Sequence, residues 1–183
     1  MSDLSRLSAA LDTSERTLRR AAKTGLIRAD RVSARRLHVP DSERRYLTTH
    51  WPVLADLRAA LRTEPNVRLA VLFGSTARGD DGPASDIDVL VDLQRAGSFR
   101  LIEIEDRLSK TIGRPVDLVR RSRADRDQTL MSEVIADGRV LVDRDAAWSR
   151  IAADPHEVAE RAKQAFAIQT AEALARSRRA VSG

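Results

Sequence analysis

The sequence predicts an α/β domain that lies between a small, basic, winged helix-turn-helix domain and a C-terminal helix. Three observations support this prediction. The chain has 183 residues, which is enough for two modest domains. In its middle part, short apolar runs alternate with turn residues and with an amphipathic stretch. The positive charge is uneven, because residues 1–62 contain 13 Lys and Arg against 7 Asp and Glu, whereas residues 63–183 contain 19 against 20.

The composition restricts the class of protein. Hydrophobic residues make up 42% of the chain and charged residues 32%, which is typical of a folded globular protein. The absence of cysteine excludes a disulfide framework and a thiolate zinc site. No apolar run is long enough for a signal peptide or a membrane span, so we expect a cytoplasmic protein that has no membrane partner.

The first domain is predicted over residues 1–62. Two stretches of helical periodicity follow each other, with Ser14 as the N-cap of the second helix and Gly25 at its end. Residues 26–39 alternate loosely and predict a two-stranded wing with a basic tip. A third helical stretch follows to Arg62, and Pro52 predicts a break in it.

The excess of positive charge in this domain indicates that it binds DNA. A single module of this type contacts few base pairs, so sequence-specific binding would favour a homodimer. A basic surface without a ligand, or a bundle that docks a protein, is the alternative interpretation. The predicted DNA-binding residues are Arg16, Thr17, Arg19, Arg20 and Lys23 on the recognition helix, with Arg35 and Arg36 on the wing.

A catalytic domain is predicted over residues 66–144, after a boundary at Thr63 to Asn66, and a helical extension over residues 145–183. The extension is Ala-rich and predicts a helix from Pro155 to Arg179. Within the catalytic domain we expect strands at 68–73, 87–91, 116–119 and 139–142, helices at 99–112 and 123–136, and a loop at 76–85.

The residues that could carry chemistry lie at the ends of these strands. Asp86 and Asp88 are two residues apart on a predicted strand, so both carboxylates point to the same face. Gly74 and Ser75 end the preceding strand, where glycine allows a polyphosphate to approach the backbone. Asp117 interrupts an apolar strand and is expected to be buried, and a buried carboxylate requires a cation. This arrangement is suited to two magnesium ions and an in-line displacement on a nucleotide, with Asp117 as an alternative base.

The segment from Gly74 to Asp80, followed by Ser85 to Val91, resembles the minimal nucleotidyltransferases of the DNA polymerase beta superfamily. Their signature is Gly-Ser, ten residues, and Asp-x-Asp, and here ten residues separate Ser75 from Asp86. The resemblance implies a nucleotidyltransferase fold with a mixed sheet flanked by helices. It also implies roles for individual residues: nucleotide binding by Gly74, Ser75 and Arg78, and catalysis and magnesium binding by Asp86, Asp88 and Asp117.

Several members of this family are antitoxins that adenylylate a tyrosine of a HEPN ribonuclease toxin with ATP. The resemblance therefore implies ATP as the substrate, two magnesium ions as cofactors and a HEPN toxin as a candidate partner. The N-terminal domain is a departure, because the minimal members lack it. Two alternatives remain open at this point: transfer of a nucleotide to an RNA end, and a DNA-binding regulator with an inactive nucleotidyltransferase fold.

Other catalytic classes find little support in the sequence. No Gly-Lys-Ser/Thr follows Gly74, which argues against a P-loop. Ser75 lacks the Gly-x-Ser-x-Gly context of a serine hydrolase. The three histidines, His38, His50 and His156, lie outside the predicted catalytic segment, and we expect each of them to be structural or exposed.

Overall fold

A computed structural model of the chain describes residues 3–33, 36–95 and 98–152. Arg35 and the predicted C-terminal helix from Pro155 to Arg179 lie outside these residues. No helix in the described part of the chain is long and apolar enough to cross a membrane.

The N-terminal segment contains three helices and a short strand pair. Its elements are α1 (Asp3–Ala10), α2 (Glu15–Thr24), β1 (Asp30–Arg31), β2 (Leu37–His38) and α3 (Asp41–Arg62). Ser14 caps α2 as predicted, since its hydroxyl accepts a hydrogen bond from the amide of Thr17 at 3.1 Å. Gly25 ends the helix with a φ of 81°. β1 and β2 pair antiparallel over two residues each.

The predicted break at Pro52 is wrong, because α3 continues through this residue. A proline inside a helix leaves the carbonyl of the residue four positions earlier without its amide partner. Here Pro52 and Thr48 are both exposed, so water can solvate that carbonyl. On the opposite face Leu54, Leu57 and Leu61 are fully buried. Burial of this apolar face stabilises one continuous helix despite the proline.

The remainder of the described chain forms a sheet with helices around it. The elements are β3 (Val67–Phe73), α4 (Gly74–Arg78), β4 (Ile87–Leu93), α5 (Ser98–Ile112), β5 (Val116–Arg120), α6 (Arg121–Ala124), α7 (Gln128–Asp137), β6 (Arg139–Asp143) and α8 (Ala147–Ile151). The strand order is β5-β4-β3-β6, with β4 and β5 parallel and the other pairs antiparallel. The predicted mixed sheet flanked by helices is therefore confirmed.

Two predicted elements differ from the structure. The loop at 76–85 begins later than expected, because Gly74–Arg78 forms one turn of helix, which is too short to produce a helical periodicity. The single helix predicted at 123–136 is two helices. Asp127 separates them, because its carboxylate accepts a hydrogen bond from the amide of Leu130 and so starts α7.

Both faces of the sheet are buried. Ala70 and Leu72 of β3 face an apolar cluster that includes side chains of α1, α2, α3 and α5. Leu69, Val71 and Phe73 face a second cluster under α7 and α8. The alternation along β3 follows from the two-residue period of a strand. Helices on both faces of the sheet hold the end of β3 and the α4 turn in place.

Candidate active site

The turn from β3 into α4 forms one wall of the candidate site. Gly74 has a φ of 72°, a conformation that favours glycine. A Cβ at this position would lie 2.7 Å from Oδ2 of Asp88, which is too close for two nonbonded atoms. Glycine is therefore required at position 74 for two reasons: the backbone conformation and the nearby carboxylate. Ser75 follows in the first turn of α4, which begins without a side-chain cap, so its first amides lack intrahelical partners.

Two carboxylates form the opposite wall. Asp88 of β4 and Asp117 of β5 are directly paired in the parallel register of the two strands. Both line a pocket of about 470 Å³, together with Gly74, Ser75 and Arg78. Asp86 lies one residue before β4, is exposed and does not line this pocket. The structure thus brings four of the five predicted chemical residues and Arg78 to one pocket, with Asp86 at its margin.

The sequence predicts that Asp117 is buried, and this prediction is wrong. Its side chain is exposed, whereas Val116 and Leu118 on either side of it are buried. Asp117 lines the candidate pocket, and solvent reaches its carboxylate there. Burial of Asp117 therefore does not call for a cation, and the like charges around Asp88 indicate the cation site instead.

Asp88 is half-buried among other acidic side chains. Burial raises the pKa of Asp88, and the charges of Asp117, Asp86 and Glu133 raise this pKa further, while Arg78 acts in the opposite direction. Glu133 on α7 also lines the pocket, although no motif in the sequence marks it. A carboxylate among like charges is stabilised when a cation binds between them.

The donor set fits a magnesium ion. Carboxylate oxygens are the protein ligands that magnesium prefers, and the ion keeps several waters or takes substrate phosphates as its other ligands. Within the described residues, no three carboxylate or imidazole groups already lie close enough together to hold a metal ion. Asp86 and Asp88 would therefore have to converge when an ion binds, and exposed Asp86 has the space to do so.

Arg78 lies in the pocket but is engaged by two acidic residues. Its Nη1 donates to Oδ2 of Asp137 at 2.8 Å, and its Nε donates to Oδ2 of Asp80 at 3.1 Å. These hydrogen bonds, first the one donated to Asp137 and then the one donated to Asp80, raise the pKa of Arg78. A nucleotide phosphate would have to replace at least one of these carboxylates in order to bind the guanidinium bidentately.

Side chains from distant parts of the chain hold α4 from behind. The hydroxyl of Tyr46 donates to the carbonyl of Thr76 at 3.0 Å, and Nε of Arg139 donates to the carbonyl of Ala77 at 2.8 Å. Arg139 forms a buried bidentate ion pair with Glu43, at 2.6 and 2.9 Å, and its guanidinium lies 3.6 Å from the ring centroid of Tyr46. Burial raises the pKa of Tyr46 to about 12, so its hydroxyl keeps its proton at neutral pH.

A second group of polar side chains holds the other end of the turn. The side chain of Asp81 is only 5% exposed. Its carboxylate accepts hydrogen bonds from Nε2 of His50 at 2.8 Å and from the hydroxyl of Thr76 at 3.3 Å. It also forms an ion pair with Arg114 at 2.9 Å. Burial alone would raise the pKa of Asp81, but the hydrogen bonds from His50 and Arg114 lower it overall. His50 also stacks on Tyr46, with ring centroids 4.4 Å apart. These residues were missed because sequence separations of about 30 residues or more produce no local pattern.

Neither of the other two histidines lines the candidate pocket among the residues that the structure describes. His38 is exposed and approaches Asp3 at 3.3 Å, and His156 lies outside the described residues. The expectation that His38 and His50 are exposed or structural therefore agrees with their positions.

Most of the predicted DNA-binding residues are exposed. Arg16, Arg19, Arg20 and Lys23 project from α2, and Arg36 is exposed just before β2. Thr17 is partly buried, and its hydroxyl is hydrogen-bonded to that of Ser14 at 2.9 Å. Arg19 forms an ion pair with Glu15 at 3.5 Å. Their role in DNA binding stays a prediction.

Comparisons with known proteins identify similar sequences and folds. The family model described as "Polymerase beta, Nucleotidyltransferase" matches residues 55–147. "Protein adenylyltransferase MntA" of Thermococcus cleftensis is 35% identical over 86 residues, which cover 45% of this chain and 87% of that protein.

Solved structures share the fold. One is described as a toxin-antitoxin with AMP-PNP and is 21% identical, with a TM-score of 0.54 over 66% of this chain and 98% of the matched chain. Another is a tri-AMPylated Shewanella oneidensis HEPN toxin in complex with MNT antitoxin, 19% identical, with a TM-score of 0.52 over 69% of this chain and 99% of the matched chain. At these identities the likeness establishes the fold of the sheet and its helices.

Proposed function

The chain belongs to the polymerase beta nucleotidyltransferase family, whose model covers about half of it at residues 55–147, and we propose that it transfers an adenylyl group from ATP to a hydroxyl group of a partner protein. The observation that carries this proposal is the pairing of Asp88 and Asp117 on adjacent parallel strands, in one pocket with the Gly74 turn. The proposal assigns the donor phosphates to one wall of this pocket and the acidic groups to the other.

In this reaction the acceptor hydroxyl oxygen attacks the α-phosphorus of ATP. A new oxygen–phosphorus bond forms, the bond to the bridging oxygen breaks, and pyrophosphate leaves opposite the attacking oxygen. Asp117 is exposed to the pocket and takes the proton of the acceptor hydroxyl in this scheme. The Gly74 turn and the first amides of α4 bind the triphosphate, and Arg78 exchanges Asp80 or Asp137 for a phosphate oxygen.

Asp86, Asp88 and Asp117 would hold the magnesium ions. The sequence predicts two such ions. Bound there, magnesium would supply a lower pKa for the acceptor hydroxyl and positive charge against the leaving pyrophosphate. Exposed Glu133 adds a fourth negative charge near Asp88 and so favours cation binding at the same place.

The partner of this reaction is proposed to be a HEPN-type toxin. Support comes from a curated relative named a protein adenylyltransferase and from structural neighbours described as toxin-antitoxin complexes. In this role the chain would be the antitoxin of a toxin-antitoxin pair. Because ATP is the donor, we place the reaction in the cytoplasm.

The N-terminal segment extends the proposal to DNA. The exposed cationic residues on α2 and around the β1–β2 pair are proposed to bind the operator of the chain's own operon, as a homodimer. An antitoxin of this kind would regulate its own expression. Loss of operator binding in an Arg16→Gln variant would support this part of the proposal.

The first test is calorimetry of ATP binding, with and without magnesium. We expect magnesium-dependent binding by the wild type and its loss in an Asp86→Ala, Asp88→Ala double variant. A double variant Asp41→Ala, Asp56→Ala, in which both carboxylates are exposed on α3, controls for the loss of two charges. Wild-type protein that binds no ATP under these conditions would contradict the proposal.

The second test identifies the acceptor. Labelled ATP is incubated with the chain and either a HEPN protein or RNA, and the label is followed into each acceptor. We expect label in the protein only, released by phosphodiesterase as AMP. Label in RNA alone would overturn the antitoxin function while leaving the chain a nucleotidyltransferase.

A further inference from the structure

A second polar cleft lies where α2, α3 and the end of β6 meet. Its volume is about 470 Å³, and it shares no lining residue with the candidate active site. Five cationic side chains and one carboxylate line it, and we call it the basic cleft. These residues are Arg20, Lys23, Arg58, Arg62, Arg144 and Asp143.

The single acidic side chain of the basic cleft does not neutralise the cations. Asp143 accepts hydrogen bonds from the amides of Ala147 at 2.9 Å and Trp148 at 3.2 Å, where it caps α8. Arg144 donates to three backbone carbonyls, among them that of Val67 at 2.8 Å. The other cations have no carboxylate partner among the residues that the structure describes. They are Arg20, Lys23, Arg58 and Arg62.

Arg58 provides independent evidence of an unsatisfied site. Its Nε is buried and has no hydrogen-bond partner in the described part of the chain. Burial lowers the pKa of Arg58, and the charges of Arg62 and Arg20 lower it further. A buried donor without an acceptor is destabilising, and more so when the group is charged. An anion in the basic cleft would offset the repulsion of Arg58 by Arg62 and Arg20.

We propose that the basic cleft binds phosphate groups of a nucleic acid backbone. Guanidinium groups match phosphate oxygens bidentately, and four of the five cations are arginines. The apolar lining consists of Leu141 and Val142, so the lining offers no aromatic ring on which a base would stack. The contact is therefore to the backbone rather than to the bases.

A membrane surface fits the basic cleft less well. Stable membrane binding by a basic surface requires apolar anchors beside it. The large apolar side chains that are exposed in the described residues are Val32, Phe99 and Ile102, and none of them lines the cleft. Nucleic acid requires only the charge and the hydrogen-bond donors that are present.

This inference rests in part on the proposed DNA binding of the N-terminal segment, and it changes the role of two residues. Arg20 and Lys23 were predicted to line a recognition helix in the major groove. In the basic cleft they lie beside α3 and β6, so they would contact phosphates together with Arg58 and Arg62. Sequence-specific contacts would then fall to residues nearer the start of α2.

The test is fluorescence anisotropy of the full chain with a duplex DNA of random sequence, a single-stranded RNA of the same length, and tripolyphosphate as a competitor. We expect an Arg58→Gln, Arg62→Gln double variant to bind duplex at least 10-fold more weakly at 50 mM salt. Its slope of log affinity against log salt should be shallower by about 1–2, since each lost contact to duplex phosphate removes about 0.9.

A matched control and a second variant accompany the test. Arg45→Gln with Arg126→Gln removes the same charge from two exposed residues outside the basic cleft and should leave the affinity within about 2-fold. Circular dichroism would reveal whether the Arg58 substitution unfolds the chain. In that case the single variant Arg62→Glu, at an exposed residue, takes the place of the double variant and should also bind duplex more weakly than the wild type. Adenylyl transfer by each variant should equal that of the wild type.

Four outcomes have defined meanings. RNA binding that is stronger than duplex binding, with the same sensitivity to the cleft variants, supports the inference and assigns RNA as the source of the phosphates. Cleft variants that bind like the wild type overturn it, even if Arg16→Gln weakens DNA binding. A wild type that binds tripolyphosphate but no nucleic acid also overturns it. Wild-type protein that transfers AMP but binds neither polymer overturns the inference and leaves the proposed transferase intact.

Discussion

Gly74 and Asp88 face each other so closely that no side chain fits between them. A Cβ built on Gly74 would lie 2.7 Å from Oδ2 of Asp88. One residue belongs to the turn proposed to bind the phosphates and the other to the carboxylates proposed to bind magnesium. The two parts of the Gly-Ser and Asp-x-Asp signature thus lie side by side in space, although twelve residues separate Ser75 from Asp88 in the sequence.

The first prediction is that Gly74→Ala abolishes nucleotidyl transfer and lowers stability. An alanine at a φ of 72° costs about 1–2 kcal/mol, and its methyl group would displace the Asp88 carboxylate. Gly113→Ala is the matched control, because Gly113 has a φ of 74° with nothing within 4 Å of its Cβ position. Denaturant unfolding and AMP transfer should reveal a similar stability loss in both variants but an activity loss in Gly74→Ala alone. Equal activities would refute the proposed close contact.

The second prediction concerns the charge of Asp88 in metal-free protein. Its pKa is raised in the folded state, so ionisation of this carboxyl costs stability as pH rises from about 4 towards neutrality. Asp88→Asn should therefore be more stable than the wild type at pH 7 in EDTA, by on the order of 0.5 kcal/mol after solvent screening. The difference should disappear below about pH 4, where the carboxyl is protonated in both states. Thermal melts against pH measure this difference, and Asp125→Asn serves as an exposed control.

The third prediction has the opposite sign. The pKa of Asp81 is lowered in the folded state, so its contribution to stability is complete above about pH 5 and declines as pH falls through the lowered pKa. Asp81→Asn should destabilise the protein by about 2–3 kcal/mol at pH 7, because His50 and Arg114 lose a buried charged partner. The difference in unfolding free energy between Asp81→Asn and the wild type should become smaller as the pH falls. Asp80→Asn, next to it but 61% exposed, should change stability little. A gap independent of pH would argue against an ionised Asp81.

Local patterns in the sequence predict the sheet and the main parts of the site. The strand at 87–91 was predicted from its apolar run, and it extends over Ile87–Leu93. The fixed register of β4 against β5 then places Asp88 beside Asp117. The strands and the carboxylates on them follow from periodicity and strand-end chemistry, which act over a few residues, whereas the register between β4 and β5 does not.

Features that depend on contacts between distant segments could not be predicted in this way. Tyr46 and Thr76 are separated by 30 positions, and Glu43 and Arg139 by 96. No periodicity marks such pairs, and a buried arginine is rare enough that its residue type favours the surface. The predicted helix break at Pro52 is wrong for a related reason. Burial of the opposite face of α3 stabilises the helix more than the proline weakens it. Tertiary packing decided each of these cases.

The fourth prediction is that the Glu43–Arg139 pair holds the active-site turn rather than only the fold. Glu43→Ala leaves the guanidinium of Arg139, which is 2% exposed, without its carboxylate, and should cost about 3–5 kcal/mol by denaturant unfolding. Asp145→Ala is the control, because it breaks the exposed Arg68–Asp145 pair and should have little effect.

A double variant, Glu43→Met with Arg139→Leu, separates stability from positioning. Replacement of both buried charges by apolar side chains of similar size should restore much of the stability. It cannot restore the hydrogen bond from Arg139 to the carbonyl of Ala77, which fixes the last turn of α4 next to Arg78. We therefore expect the double variant to unfold near the wild-type denaturant midpoint while its kcat for AMP transfer stays at least 10-fold lower. Full recovery of kcat together with stability would mean that the pair contributes to the fold alone.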